Sequence, residues 1–162
     1  MATAMSLVRP EGTQSSGLFS TFLVSDLFFC IDVLQVQEVL RYQPMTPVPQ
    51  APEAIEGLIN LRGQIVTAIE MRRRLGLPPR PEEMAPMNIV VSTTDGAVSL
   101  LVDEIGDVME LSASDYEHPP ANIDQSAFDV IKGVYKLQDK LLLVLDAERI
   151  ADLTKWRQSI SN

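Results

Sequence analysis

From Phe19 onward the chain writes nearly the same pattern twice, so whatever it folds into must contain two similar halves. The first copy reads Thr21-Phe-Leu-Val, then Ser25-Asp26, then Leu27 to Asp32, and later Glu56-Gly-Leu-Ile-Asn-Leu-Arg-Gly-Gln-Ile-Val-Thr-Ala-Ile-Glu70. The second opens Asn88-Ile-Val-Val-Ser, Thr94-Asp-Gly, Ala97 to Asp103, and closes Lys132-Gly-Val-Tyr-Lys-Leu-Gln-Asp-Lys-Leu-Leu-Leu-Val-Leu-Asp146. Gly57 matches Gly133, Leu61 matches Leu137 and Glu70 matches Asp146, while Arg62-Gly63 is replaced by Gln138-Asp139. A duplicated scaffold keeps in both copies what folding needs. A difference at one exposed turn therefore points to work that one copy does alone.

Repeats of about 70 residues are close to the lower limit of independent stability, which favours two small units sharing a core. Short runs rich in β-branched and aromatic residues, separated by turn dipeptides, predict hairpins at Phe19–Asp32, Leu58–Ile69, Met87–Val102 and Val134–Leu145, with a further strand at Val108–Leu111. Asp95-Gly96 is a strong hairpin turn, and Gly63 allows a positive φ beside Arg62. Frequent short strands indicate small barrels or a sandwich. Val33, Val36 and Leu40 recur at helical spacing, so Val33–Arg41 reads as a short helix with Glu38 on its polar face, within reach of Arg41. Met71–Leu75 reads as one helical turn stopped by Gly76, and Ala147, Ile150, Leu153, Trp156 and Ile160 suggest a closing helix capped by Asp146. Prolines 44, 47, 49 and 52, and then 78, 79, 81 and 86, mark connectors.

The net charge of −9 opposes binding to nucleic acid or anionic lipid. No apolar run is long enough to span a bilayer, no signal peptide is present, and a single cysteine, Cys30 in an apolar strand, suits a cytoplasmic chain. Chemistry is not announced. His118 is the only histidine, there is no phosphate-binding glycine loop, and no metal-ligand spacing occurs. The chain reads as no enzyme, with no cofactor. Arg62 is the leading candidate contact, a guanidinium held at a turn where it can grip a partner's carboxylate or carbonyls. The run Arg72-Arg73-Arg74 reads first as favourable charge at a helix C-terminus, with an acidic partner surface as the alternative.

Ile31-Asp32-Val33-Leu34-Gln35-Val36-Gln37-Glu38-Val39, Pro52 to Gly57, Asn60-Leu61-Arg62-Gly63 and the second copy's Val-Asp-x-hydrophobic-x-Asp-Val together resemble the CheW family of chemotaxis coupling proteins, over roughly Phe19 to Leu153. The resemblance implies a mainly β fold of two intertwined five-stranded Src-homology-3-like barrels with short helices and a C-terminal helix. It implies a tail at 1–17 and one domain at 18–162, with barrel subdomains about 18–80 and 87–146 and a closing helix 147–160. It implies a non-catalytic adaptor between the cytoplasmic tip of a methyl-accepting chemoreceptor and the regulatory domain of the histidine kinase CheA, working in arrays at the inner face of the membrane without inserting into it.

The family's receptor contacts fall on Val36, Glu38 and Arg62, with Gly63 supporting the turn. The family's second kinase-contact loop falls on Tyr116, Glu117, His118, Ala121 and Asn122. That loop offers Glu117, Ala121 and Asn122 in place of basic and aromatic residues of the well-studied branch, which points to different pairings or to an adaptor of a non-standard chemosensory pathway. Thr67 and Glu70 stand where the family commonly has Pro and Asp. Strand edges of small barrels also leave weak self-association open. Two other readings compete: a nucleic-acid-binding barrel, against which the charge argues, and an enzyme with an unannounced pocket.

Overall fold

A computed structural model describes residues 17–119 and 129–153. Among the described residues, eleven strands run in chain order: β1 Gly17–Val24, β2 Leu27–Asp32, β3 Val36–Arg41, β4 Ile55–Leu61, β5 Gln64–Glu70, β6 Met87–Thr93, β7 Gly96–Val102, β8 Glu104–Leu111, β9 Tyr116–Glu117, β10 Ile131–Lys136 and β11 Leu141–Leu145. One helical turn spans Met71–Arg74, and a C-terminal helix Ala147–Ala151. The residues expected to carry that helix further, Trp156 and Ile160, lie outside the described residues, as does 1–16 of the N-terminal segment.

The strands form two sheets, ordered β8-β1-β2-β11-β10-β9 and β3-β6-β7-β5-β4. These sheets do not follow the sequence copies. The opening hairpin of the first copy, β1–β2, joins the closing hairpin of the second through the parallel pair Leu143–Phe29 and Val144–Cys30. The opening hairpin of the second copy, β6–β7, joins the closing hairpin of the first through Thr67–Val98 to Glu70–Leu101. Each copy thus contributes to both sheets, which is the intertwining that the resemblance implies, and the sheets have the size of Src-homology-3-like barrels.

Each sheet curls until its edges meet. Residues 112–115 lead directly from β8, one edge of the first sheet, to β9, the other. In the second sheet the chain beyond β3 folds across to β4, where Thr46 and Leu58 exchange backbone hydrogen bonds of 2.9 and 2.8 Å. Gly57 permits that crossing, since a Cβ there would lie 2.8 Å from the Thr46 carbonyl oxygen. Its sister Gly133 makes room instead for the Tyr116 ring. The repeated glycine answers two different crowding problems.

The main core, including Phe22, Phe29, Ile31, Ile69, Ile89, Leu100 and Leu145, draws on both sheets, and a smaller cluster around Tyr135, Phe19 and Leu142 fills the first barrel. Glu70 accepts from the Arg72 amide and Asp146 from the Glu148 amide, so the matched carboxylates both cap the helical segments that follow the closing hairpins.

The sequence reading errs at one element and is incomplete at another. Val33–Arg41 is no helix; only Val33–Gln35 makes a 3-10 turn, and Val36–Arg41 is a strand paired antiparallel to β6. Val36, Glu38 and Leu40 alternate with the exposed Gln37, Val39 and Arg41, so Glu38 and Arg41 face opposite sides and do not pair. Three β-branched residues and an open sheet edge outweigh a chance 3.6-residue spacing.

The arginine run does stand in the last turn of a helix, as read, but Arg72 and Arg74 are buried there and bound to specific partners. Arg72 grips Asp103 through two bonds, Nε to Oδ1 at 3.0 Å and Nη2 to Oδ2 at 2.6 Å. Arg80 bridges from the connector, donating Nε to Asp103 at 2.9 Å and Nη1 and Nη2 to the two Glu70 oxygens at 2.5 and 3.1 Å. The backbone N–H of Ser25, in the β1–β2 turn, donates to Asp103 at 2.7 Å. Arg74 donates to the Ile150 and Arg149 carbonyls of the C-terminal helix.

Burial alone would raise the Asp103 carboxyl, but the bonds from Arg72, Ser25 and Arg80 outweigh it and hold it below the ordinary carboxylate value. The stability Asp103 contributes is complete above the unfolded value of about 3.9 and is lost as pH falls through the lower folded value. Asp103→Asn should cost about 3–5 kcal/mol at neutral pH in urea unfolding, because two guanidinium groups lose a buried partner. The wild type should also lose stability more steeply than this variant below about pH 4. Parallel pH profiles would contradict the assignment.

Candidate functional site

Arg62 and Gly63 form the two-residue turn between β4 and β5, closed by the pair Leu61–Gln64. Both take positive φ, +54° and +87°, the pattern that suits the twist of a tight hairpin. Gly63 adopts it freely, and a Cβ there would meet nothing within 4 Å, so glycine is required by conformation rather than by space. Arg62 has no such freedom, and an L-residue in this region carries roughly 1–2 kcal/mol of strain.

The reward for that strain is a specific placement. Arg62 Nη2 donates to Glu38 Oε1 at 2.6 Å across the barrel seam, with the arginine side chain 82% exposed and the glutamate 21%. Val36 lies two residues before Glu38, half-buried against the main core. Glu38 and Arg62 thus meet at the seam between β3 and β4, with Val36 nearby on β3. An ion pair this exposed contributes on the order of 0.2–1 kcal/mol to folding, so stability alone does not explain it.

The other expected contacts lie on the first sheet. Tyr116 is half-buried, and its hydroxyl donates to the Lys132 carbonyl at 2.9 Å. Its ring meets Tyr135 edge-on at 5.2 Å, and desolvation raises its pKa. Glu117 pairs with Lys136 at 3.0 Å, and the exposed His118 ring stands 5.9 Å from Tyr116. Ala121 and Asn122 lie outside the described residues.

Catalytic geometry is not apparent among the described residues. A cleft under the proline connector is lined by Glu70, Arg72 and Arg80 together with Tyr42, Leu77 and Met84, and Glu70, Arg72 and Arg80 are committed to the buried network. Among the described residues no three His, Cys, Asp or Glu side chains gather as a metal site, and no helix is long and apolar enough to cross a membrane. Cys30 is buried, and desolvation pushes its thiol far above the ordinary range.

Sequence reasoning missed two features. Arg80, alone between Pro79 and Pro81, is an anchor rather than a linker residue, and its flanking prolines were the only hint. Leu18 and Val108 are exposed apolar residues on the first sheet, and Leu34 is exposed on the 3-10 turn that follows β2. Leu18 and Val108 share a face of the β1–β8 pair, beside Glu110 and Ser20, and Leu34 follows Asp32, the partner of Phe19.

A double barrel whose buried charges are paired with one another has the architecture of a scaffold. The comparisons agree: the CheW-like domain family model matches residues 19–155, and the chain belongs to that family. The chemotaxis protein CheW of Bacillus subtilis (strain 168) is 31% identical over 131 residues, covering 81% of this chain and 84% of its own. That of Rhizobium meliloti (strain 1021) is 27% identical over 129 residues, 80% and 83% of the two chains. The crystal structure of the scaffolding protein TtCheW from Thermoanaerobacter tengcongensis superposes with a TM-score of 0.78 at 26% identity, covering 86% of this chain and 95% of that one.

If Arg62 is held at the turn for contact and not for folding, Arg62→Gly should unfold in urea at a free energy equal to or above the wild type's, within about 1 kcal/mol. The relief of left-handed strain offsets the lost surface pair. A loss of 3 kcal/mol, the scale of a buried pair, would show instead that the turn is structural.

Proposed function

We propose that this protein is a non-catalytic chemotaxis adaptor that couples the cytoplasmic tip of a chemoreceptor to the regulatory domain of a CheA-type histidine kinase. The observation that carries the reading is the Arg62–Glu38 pair beside Val36. The receptor-contact roles of Val36, Glu38 and Arg62 are taken from the family resemblance, and the pairing of Arg62 with Glu38, two residues from Val36, supports that reading. A strained arginine with a preset carboxylate partner offers charge-assisted hydrogen bonds in a fixed orientation, which set register on a helical hairpin tip, while apolar contacts supply affinity.

An adaptor needs a second surface that stays free while the first is filled. The exposed Leu18 and Val108 belong to the other sheet and fit that need. The kinase regulatory domain is the partner assigned to it, because apolar side chains at a sheet edge suit docking of a second small barrel. The Tyr116–His118 segment is left for a further kinase contact, with Glu117 and His118 as its exposed groups. The site of action is the cytoplasm, at the inner face of the membrane where receptor arrays lie.

Calorimetric titration of the purified protein with each partner separates the two surfaces. Arg62→Ala should lose receptor-tip affinity at least tenfold, about 1.4 kcal/mol, and keep kinase-domain affinity. Val108→Asp should do the reverse, and Gln138→Ala should change neither. Equal losses for both partners in either variant would overturn the two-surface reading.

A further inference from the structure

Arg62 reaches Glu38 only while the turn stays left-handed, and something must hold a non-glycine residue at φ +54°. The Asn60 side chain does so: its Oδ1 accepts the Gly63 backbone N–H at 2.9 Å. Asn60 pairs with Ile65 near the end of β4, and its side chain is exposed. It therefore has no core-filling role to explain its identity.

The second copy supplies an internal control. Because Gly57 matches Gly133, Asn60 falls on Lys136, and Arg62-Gly63 on Gln138-Asp139. Lys136 offers no acceptor, and it pairs outward with Glu117. The sister hairpin is still closed, with the Leu137 N–H donating to the Lys140 carbonyl at 2.9 Å. Yet positive φ among the described non-glycine residues occurs at Ser25, Gln50 and Arg62, and not at Gln138 or Asp139. The sister hairpin, which has neither the acceptor nor the glycine, keeps φ out of the left-handed region at both positions.

We propose that Asn60 is a positioning residue for the Arg62 contact: its side-chain oxygen selects the left-handed turn and so aims the guanidinium at Glu38 and the partner. The proposal rests on reading Arg62 as a partner contact and adds what makes that contact available. Asn60 touches no partner on this account. It acts through the population of turn conformations that present Arg62 correctly, so its loss weakens binding by lowering that population.

Two readouts test it on the full chain. Binding of a soluble chemoreceptor signalling-tip fragment is measured for the wild type, Asn60→Ala, Asn60→Asp, Arg62→Ala and the Asn60→Ala/Arg62→Ala double variant. Gly63 amide exchange is followed by NMR on the same proteins. Asn60→Ala should weaken binding by about twofold to tenfold, the range of one net hydrogen bond, and speed Gly63 exchange. Asn60→Asp keeps the acceptor oxygen and should restore both. The double variant should bind no worse than Arg62→Ala alone, whereas a general structural defect would add a further loss.

Wild-type binding by Asn60→Ala, with binding lost in Arg62→Ala, would overturn the positioning role and leave the contact reading standing. Undiminished binding by Arg62→Ala would overturn the contact reading and, with it, the claim that Asn60 serves a partner. The Gly63 exchange rates would then show separately whether Asn60 holds the turn. Unchanged exchange in Asn60→Ala would overturn the proposal on its own.

Discussion

Two arginines and two carboxylates sealed where the copies interlace hold this molecule in register. Arg72 and Arg80 share Asp103, Arg80 continues to Glu70, and the Ser25 amide ties in the hairpin from the opposite sheet. The four charges balance, and each buried oxygen of Asp103 accepts at least two bonds. Such a network adds little net stability over a well-packed apolar substitute, but losing one member leaves buried charge uncompensated. Its value in a duplicated chain is selection. Each opening hairpin could in principle pair with the closing hairpin of its own copy, and these contacts join the ends of β5 and β7 to the β1–β2 turn in one arrangement only.

The contact site inherits its precision from that arrangement. With the sheets fixed, the strap through Thr46 closes the second barrel on β4. The seam so formed places Glu38 opposite a turn whose backbone is already strained. Little remains to be ordered when a partner arrives, and pre-ordered side chains raise affinity by reducing the entropic cost of association. The two copies therefore differ at this turn in backbone as well as in sequence, with positive φ at Arg62 and not at Gln138.

Much of the fold was legible because its signals are local. Turn dipeptides located Ser25-Asp26 and Arg62-Gly63, whereas the β6–β7 turn falls at Thr94-Asp95, one residue before the expected Asp95-Gly96, with Gly96 already paired to Thr93; Asp146 caps the C-terminal helix as its position suggests. The failures share a cause. β3 was read as a helix because its pairing with β6 joins residues about 50 positions apart, which periodicity does not see. The repeat itself held the correction, since the matching stretch of the second copy is β8, and its end at Val108–Leu111 already looked like a strand. The buried partners of the arginines went unseen because the carboxylates come from other segments: Arg72 and Asp103 stand 31 positions apart. At the site, Arg62 showed as a difference between copies. Asn60 did not, because its meaning depends on a backbone φ that no residue pattern displays.

The coupling claim is tested most directly by kinase autophosphorylation in a reconstituted mixture of receptor-bearing membranes, a CheA-type kinase and this protein. The account predicts that wild type raises the rate above that of kinase and membranes alone. Arg62→Ala and Val108→Asp should each fail to raise it, although each still binds one of the two partners. Full stimulation by both variants, or none by the wild type with the cognate receptor and kinase present, would contradict it.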